Sequence, residues 1–385
     1  MAADTPERRN IPYVDLPAQF ARQRDVLMAV IEGVFARGVF IGGALVEKLE
    51  DALAGYLGVR HVVALNSGTD ALELGLAAMG IGPGDEVITP PNSFVASTAA
   101  IVAAGATPVF ADVRDDQNIC PAAVAAAVTP RTRAIMPVHL TGRMADMDAI
   151  MAIAGRHDLG VIEDAAQSIG SRFSGRLAGT IGNVGAFSAH PLKNLNGAGD
   201  AGFLATDDEA IAAKVRRRRN HGLVDRDTVA EWGTVSRLDT MQAAVLLHRL
   251  GELDSVIERR RANAARYRAL LAGTPVFHPA CEAREFNTFH TFVVQLDDRD
   301  GARKHLADRG IGTAVHYPVP IHLQPAARRL GYAPGSMPNT ERQAGRILTL
   351  PIHQHLADDD VDFVGRCLAE FASGSAGAAR RSAGF

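Results

Sequence analysis

The chain has 385 residues, of which 47% are hydrophobic and 22% charged, and this composition excludes a largely disordered protein. A formal net charge of −3 gives no global positive field that would favour nucleic acid. The cysteines Cys120, Cys281 and Cys367 are too far apart for a disulfide framework or a zinc motif. The N-terminus lacks an apolar signal core, and no apolar run reaches about 18 residues. We therefore expect a cytoplasmic protein of about two domains.

Four residues are lysine, at positions 48, 193, 214 and 304, and 36 are arginine. Arginine therefore supplies positive charge almost everywhere in this chain. A lysine in a glycine-rich, non-helical segment is then a candidate for chemistry that requires an amine. Lys193, which precedes a run of glycines from Gly197 to Gly202, is in such a segment.

Helices and strands alternate through the first half of the chain. After an N-terminal arm over residues 1–30, the pattern predicts helices at 46–56, 70–79, 92–104, 121–128 and 144–156, and strands at 61–65, 87–89, 107–111, 134–138 and 159–162. Asn92 or Ser93 is expected to cap the third helix. This alternation with short connections predicts an α/β fold, with a mostly parallel central sheet covered by helices.

A change of pattern near residue 273 predicts a second, smaller domain. One long helix is expected over 236–271, followed by strands at 291–296 and 312–316 and helices at 301–309, 339–347 and 358–372. The predicted units are the arm (1–30), a large cofactor-binding domain (31–272), a small C-terminal α+β domain (273–372) and a flexible tail (373–385).

Three polar clusters follow predicted strands, at 66–69, 90–94 and 163–167. Ligands of parallel sheets bind beyond the carboxyl ends of the strands, so the three clusters predict one site at one edge of the sheet. Each cluster also has a simpler interpretation. The first resembles an ordinary helix cap, Phe94 could pack in a core, and Asp164 could cap the following turn.

Together these segments supply what pyridoxal 5′-phosphate requires. The cofactor requires a lysine for its aldehyde, a carboxylate beside the ring nitrogen, amides and hydroxyls for its phosphate, and usually an aromatic ring against its face. The candidates are, in that order, Lys193; Asp164; Gly68 with Thr69; and Phe94. Gln167, one turn beyond Asp164, could reach the ring oxygen. A surface lysine remains the simpler interpretation of Lys193 alone.

The sequence resembles the DegT/StrS family of pyridoxal-phosphate-dependent sugar aminotransferases of fold type I over nearly its whole length. The segments that carry the resemblance are NSGTDAL, GDEVITPPNSFVAS, EDAAQSIG, GAFSAHPLKNLNGAGDAG, SRLDTMQAA and GIGTAVHYPVPIH. The resemblance implies that Lys193 binds the cofactor aldehyde, that Asp164 pairs with the pyridine nitrogen and that Gln167 lies beside the ring hydroxyl.

Further roles follow only from this resemblance. Gly68, Thr69 and Ser188 would bind the phosphate, Phe94 would stack on the ring, and His190 would lie near the cofactor. Tyr317 and His322 would line the sugar site. The amino donor would be glutamate, and a homodimer with shared active sites would be the working unit.

Two positions depart from the family pattern. Val235 lies where relatives have an asparagine that reaches the phosphate of the neighbouring subunit, and valine cannot donate a hydrogen bond. Asn220 or Ser236 could supply that contact instead. Ala201 replaces the third residue of the usual GDGG. The presence of lysine rather than histidine at position 193 argues against the sugar 3-dehydratase branch.

The expected acceptor is a nucleotide-linked 3- or 4-keto-6-deoxy sugar, and an oxo form of an eight-carbon acid sugar is the alternative. Arg216–Arg219 could attract a sugar-nucleotide phosphate or could simply be a solvated helix face. A non-catalytic regulatory protein on the same fold is a second function class. An NAD-dependent enzyme is disfavoured, because no G-x-G-x-x-G sequence follows the first strand.

Overall fold

The structure is a computed structural model that describes the backbone of residues 7–382 and the side chains of residues 7–374. Its helices are α1 (Leu16–Arg37), α2 (Ala44–Leu57), α3 (Gly68–Ala78), α4 (Ala96–Ala103), α5 (Pro121–Ala127), α6 (Met147–His157), α7 (Glu209–Arg218), α8 (Thr240–Leu250), α9 (Leu253–Leu271), α10 (Arg299–Asp308), α11 (Pro338–Ala344) and α12 (Asp358–Ser382). Its strands are β1 (His61–Leu65), β2 (Glu86–Thr89), β3 (Thr107–Phe110), β4 (Thr132–Ile135), β5 (Gly160–Asp164), β6 (Arg172–Phe173), β7 (Arg176–Leu177), β8 (Val184–Ser188), β9 (Gly202–Thr206), β10 (Glu285–Phe286), β11 (Phe292–Gln295) and β12 (Ile347–Leu350).

Within the described residues, the central sheet has seven strands in the order β1-β9-β8-β5-β4-β2-β3. The pairs from β8 to β3 are parallel, whereas β9 is antiparallel to both β1 and β8. Both faces are buried. In β1, for example, Val63 and Leu65 pack into one hydrophobic cluster, while Val62 and Ala64 pack into the other. The predicted α/β class with a mostly parallel sheet is confirmed.

A second core forms around the antiparallel pair β11 and β12. It includes Ile11 from the N-terminal arm and Tyr267 from α9, together with Val294 and Leu368. The arm is also tied to this core by backbone hydrogen bonds between Ile11 and residues Gly310 and Gly312. The C-terminal core therefore draws on segments that the sequence-based division at residue 273 assigns to other units.

Three predicted elements differ in the structure. The long helix predicted over 236–271 is two helices, α8 and α9, which meet at Gly251, where the amides of Gly251 and Glu252 bond three residues back rather than four. Residues 312–316 form no strand and contribute one bridge, from Ala314 to Thr349. Strand β12 begins inside the predicted helix 339–347.

The last helix also extends further than the sequence pattern indicates. A tail is predicted from Ser373, whereas α12 continues to Ser382, and the final three residues of the predicted tail lie outside the described part of the chain. No helix among the described residues is both long enough and apolar enough to cross a membrane.

Candidate active site

Asp164 lies at the carboxyl end of β5, in the centre of the sheet, and is buried. Its Oδ1 accepts a hydrogen bond from the amide of Ala166 at 3.1 Å, which is the capping contact that the sequence suggests. Its Oδ2 accepts from the hydroxyl of Ser97 at 2.7 Å. Neither donor is a cation, so the carboxylate keeps its negative charge available to a positively charged group.

Lys193 lies in the turn after β8, where its amide donates to the carbonyl of His190 at 2.8 Å. Its side chain makes none of the ion pairs found among the described residues. Burial lowers the pKa of its amine to about 8, and the negative charge of Asp164 opposes this shift. A lysine with this pKa is partly neutral near physiological pH, as an amine nucleophile must be.

This pKa leads to a direct prediction for the apoprotein. Lys193 should react with an acetylating reagent along a pH profile whose midpoint lies near 8, because only the neutral amine is nucleophilic. Mass spectrometry of the digested protein would follow its modification, and the other three lysines provide internal references in the same sample. A midpoint at or above 10 would contradict the buried position of this amine.

The turn between β1 and α3 presents a helix N-terminus to the same edge of the sheet. Ser67 caps the helix by accepting from the amide of Asp70 at 3.1 Å. Within the described residues, the amides of Gly68 and Thr69 have no acceptor, so both remain available to an anion. A Cβ on Gly68 would lie 2.8 Å from the Cβ of Ser188, so only glycine allows this close approach.

Gly202, at the start of β9, explains why the departure at Ala201 is tolerated. A Cβ on Gly202 would lie 2.3 Å from the carbonyl carbon of Ser67, so the backbone of the turn between β1 and α3 leaves no space there. Ala201, by contrast, is already buried in the hydrophobic core with its methyl group. The close approach in the GDAG segment therefore depends on its last glycine.

Gln167 and Tyr317 face the same region as Asp164. The Oε1 of Gln167 accepts from the amide of Thr141 at 2.8 Å, so its Nε2 is the group that donates the hydrogen bond to Tyr317. Burial and the charge of Asp164 raise the pKa of the Tyr317 hydroxyl to about 12, against an opposing side-chain hydrogen bond from Gln167. Tyr317 is therefore a neutral hydroxyl donor at physiological pH.

Phe94 is 55% exposed, so its ring does not pack in a core as the simpler interpretation of the sequence would have it. Its centroid lies 5.7 Å from that of Tyr317, with a tilted geometry. The predicted caps of the following helix are not used. Asn92 donates to the carbonyl of Gln117, and the hydroxyl of Ser93 donates to the carbonyl of Phe94, so α4 begins only at Ala96.

Two other predicted site residues, His190 and His322, differ in their surroundings. The imidazole of His190 is exposed, and its Nδ1 accepts from the amide of Leu192 at 3.3 Å. His322 is buried, its Nε2 donates to the carboxylate of Glu341 at 3.0 Å, and its ring packs against those of Phe110 and Tyr332. The structure thus joins His322 to a packing cluster, and its expected role at the sugar site stays a prediction.

Sequence reasoning missed Ser97, His290 and His316. Burial and the charge of Lys193 lower the pKa values of both histidines, and the Nδ1 of His290 is buried without a hydrogen-bond partner in the described part of the chain. His290 is thus a neutral imidazole, and the Lys193 amine is close enough to contribute to the shift of its pKa. Nothing local in the segment FNTFHTF marks this residue, because its neighbour Lys193 is about a hundred positions away.

The segment around Val235 bears on the missing asparagine. Ser236 is buried, donates to Asp70 at 2.6 Å and accepts from the amide of Asn66, so its hydroxyl is already engaged. The Oδ1 of Asn220 accepts from Arg237 at 3.1 Å, which leaves the Nδ2 of Asn220 as a free donor. Of the two residues, Asn220 is better placed to supply the absent contact.

The four arginines of 216–219 are engaged inside this chain. Arg217 and Arg218 both pair with Glu231, Arg219 bonds Glu50, and Arg216 reaches the carbonyl of Val62. They are neither a solvated helix face nor four free cations for a phosphate.

Behind Asp164, its neighbour Glu163 is fully buried in a network of donors. Its carboxylate accepts from Nε2 of His139 at 2.8 Å and from the amides of Gly179, Ile181 and Gly182 at 2.6–2.8 Å. The Nδ1 of His139 accepts from the amide of Ala145, so Nε2 carries the ring proton and donates the hydrogen bond to Glu163. The amide of His139 donates to the carbonyl of Asp164, which links this network to the site.

Comparison with known proteins identifies the family. The model of the DegT/DnrJ/EryC1/StrS aminotransferase family matches residues 22–369. A dTDP-3-amino-3,4,6-trideoxy-alpha-D-glucose transaminase from Streptomyces venezuelae is 44% identical over 92% of this chain and 93% of the relative. The crystal structure of S. venezuelae DesV in complex with a ketimine intermediate superposes with a TM-score of 0.92 at 43% identity, over 95% of this chain and 99% of the other.

The chain belongs to the DegT/DnrJ/EryC1/StrS aminotransferase family, and the resemblance seen in the sequence is confirmed. It is a pyridoxal-phosphate-dependent aminotransferase, in agreement with a solved structure of the same fold, from Bacillus subtilis, that contains bound pyridoxamine phosphate. A relative from Geobacillus stearothermophilus, 42% identical over 94% of this chain and 98% of its own length, is named a pleiotropic regulatory protein. The regulatory alternative is nevertheless not favoured here.

Proposed function

We propose that this enzyme transfers the amino group of glutamate to a nucleotide-linked 3- or 4-keto-6-deoxy sugar in the cytoplasm. The observation that carries the proposal is the unpaired, partly neutral amine of Lys193 beside the buried carboxylate of Asp164. The similarity to a dTDP-sugar transaminase supports the substrate class. The products would be the 2-keto acid of the donor and the amino sugar.

The chain's own residues fit pyridoxal phosphate. The free amides of Gly68 and Thr69 and the hydroxyl of Ser188 would hold the phosphate, Asp164 would accept from the ring N–H, and Phe94 would cover a ring face. When bound, the cofactor supplies an electron sink for the negative charge left on the donor carbon. The amine of Lys193 would take the proton from that donor carbon and deliver it to C4′ of the cofactor, and in the second half-reaction it would carry a proton in the opposite direction, to the acceptor carbon of the sugar.

Labelled glutamate provides the test of the substrate. The purified enzyme would be incubated with ¹⁵N-glutamate and a panel of keto sugars: nucleotide-linked 3-keto and 4-keto-6-deoxyhexoses and an oxo eight-carbon acid sugar. We expect the label in a nucleotide-linked product, and none in a matched sugar without a keto group. Label found only in the eight-carbon sugar would overturn the substrate proposal but not the transamination chemistry.

The proposal includes a homodimer with shared active sites. Large apolar side chains on and after α1 support it, because Phe20, Phe35, Phe40 and Ile41 are each about half exposed, and such surfaces pack against partners. Asn220, with its free Nδ2, would reach the phosphate of the second subunit. Sedimentation at micromolar concentration would test the dimer, and a monomer would contradict it.

A further inference from the structure

The hydroxyl of Ser97 connects the end of β5, which carries Asp164, with the turn that carries Phe94. Ser97 lies in the first turn of α4 and is 1% exposed. Its Oγ donates to Oδ2 of Asp164 at 2.7 Å, across 67 positions of sequence. The same Oγ and the Ser97 amide lie 3.4 Å from the carbonyl of Phe94. Ser97 therefore contacts both the acid expected at the ring nitrogen and the turn that carries the expected stacking ring.

The hydrogen bond fixes the orientation of the Asp164 carboxylate. Asp164 is buried, and its two hydrogen-bond donors among the described residues are the amide of Ala166 and the hydroxyl of Ser97. The amide belongs to the same turn and holds Oδ1, so the rotation of the group is set by the donor on Oδ2. A serine hydroxyl can only donate to an ionised carboxylate, which makes this contact unambiguous in direction.

We propose that Ser97 is a positioning residue that aims the Asp164 carboxylate at the ring nitrogen of pyridoxal phosphate. This inference rests on the proposed function, because it requires Asp164 to receive the ring N–H. Removal of the hydroxyl leaves the carboxylate buried with one donor and free to rotate away from the ring. The loss should be specific to the ring nitrogen, since among the described residues Ser97 makes no hydrogen bond to the turn between β1 and α3.

The test compares two cofactors that differ in one atom. Dissociation constants would be measured for pyridoxal phosphate and for its 1-deaza analogue, in which carbon replaces the ring nitrogen. We expect Ser97→Ala to weaken the binding of pyridoxal phosphate about 10-fold, the value expected for a hydrogen bond to a charged group. Binding of the carbon analogue should change less than about 2-fold, because it has no N–H for Asp164 to accept.

Two variants serve as controls. Ser97→Thr keeps the hydroxyl and should restore most of the preference for the nitrogen cofactor. Thr98→Val removes the neighbouring buried hydroxyl, which has no hydrogen-bond partner among the described residues, and should leave both dissociation constants unchanged. Thermal unfolding of each apoprotein would show whether a variant is folded.

The outcomes separate this inference from the function on which it rests. Equal losses for the two cofactors in Ser97→Ala, or no loss for either, would overturn the positioning role. So would a Ser97→Thr variant that behaves like Ser97→Ala while remaining folded. If the unaltered protein binds no pyridoxal phosphate, the proposed function itself fails.

Discussion

Replacing Lys193 with alanine is expected to lower the rate of amino transfer by about 10³-fold or more, within the range of a lost general acid–base group together with the covalent link. No other lysine can substitute. Lys48 lies on α2, Lys214 lies on α7, and Lys304 lies on α10, where it pairs with Asp308. Single-turnover measurement of ¹⁵N transfer from glutamate would determine the loss.

Phe94→Ala is the matched control for this prediction. Its ring can contribute only contact with the cofactor face, so we expect a loss of about 10-fold or less, the value of a lost aromatic contact. Comparable rates in Lys193→Ala and Phe94→Ala would refute the assignment of Lys193. Borohydride reduction of the enzyme loaded with pyridoxal phosphate adds an independent readout, because peptide mapping should then find the label on residue 193.

A loss of fold would not explain the effect of Lys193→Ala. The folded-state pKa of Lys193, about 8, lies below the ordinary lysine value of 10.5, because burial disfavours the ammonium form. Below pH 8 the folded apoprotein therefore keeps this proton at a cost in free energy, and the cost decreases as the pH rises from about 8 to 10.5. At pH 7 the alanine variant should be at least as stable as the parent.

The largest effect on stability is expected from Glu163→Gln, at about 3 kcal/mol, because a buried donor left without its acceptor costs about 1–3 kcal/mol. The carboxylate accepts from His139 and from three backbone amides, and glutamine offers one acceptor oxygen and a competing donor. Asp25→Asn is the control, because that side chain is 94% exposed and should change stability by less than about 0.5 kcal/mol.

The effect of Glu163→Gln should depend on pH. Burial acts to raise the pKa of Glu163, but the hydrogen bonds from His139, Gly182 and Gly179 exceed it, and the net pKa lies below the ordinary value. A lowered folded-state pKa stabilises the protein above the ordinary glutamate pKa, about 4.3, and this contribution is lost as the pH falls through the folded-state value. Urea unfolding at pH 7 and at pH 3.5 should therefore give a smaller difference at the lower pH. An equal difference at both values would refute the network.

Much of the large domain follows from local pattern. The apolar run at 61–65 coincides with β1, and the polar residues after it form the capped start of α3, because strand and cap signals depend on neighbours in sequence. The break between α8 and α9 was missed, since a glycine within a helical pattern is often tolerated. Residues 312–316 do not form the expected strand, because this segment pairs with its neighbour at one position only, Ala314 with Thr349.

The candidate site likewise combines residues that the sequence indicates with contacts that only the folded chain shows. Sequence by itself indicates Lys193, Asp164, Gly68 and Phe94, because each has a residue type and a position after a strand that suit one chemistry. Tertiary structure decides what surrounds them: Ser97 donates to Asp164, the charge of Lys193 acts on His290, and His322 bonds Glu341. Those contacts are set by how helices and strands pack across the sheet, and neither residue type nor local spacing contains that information.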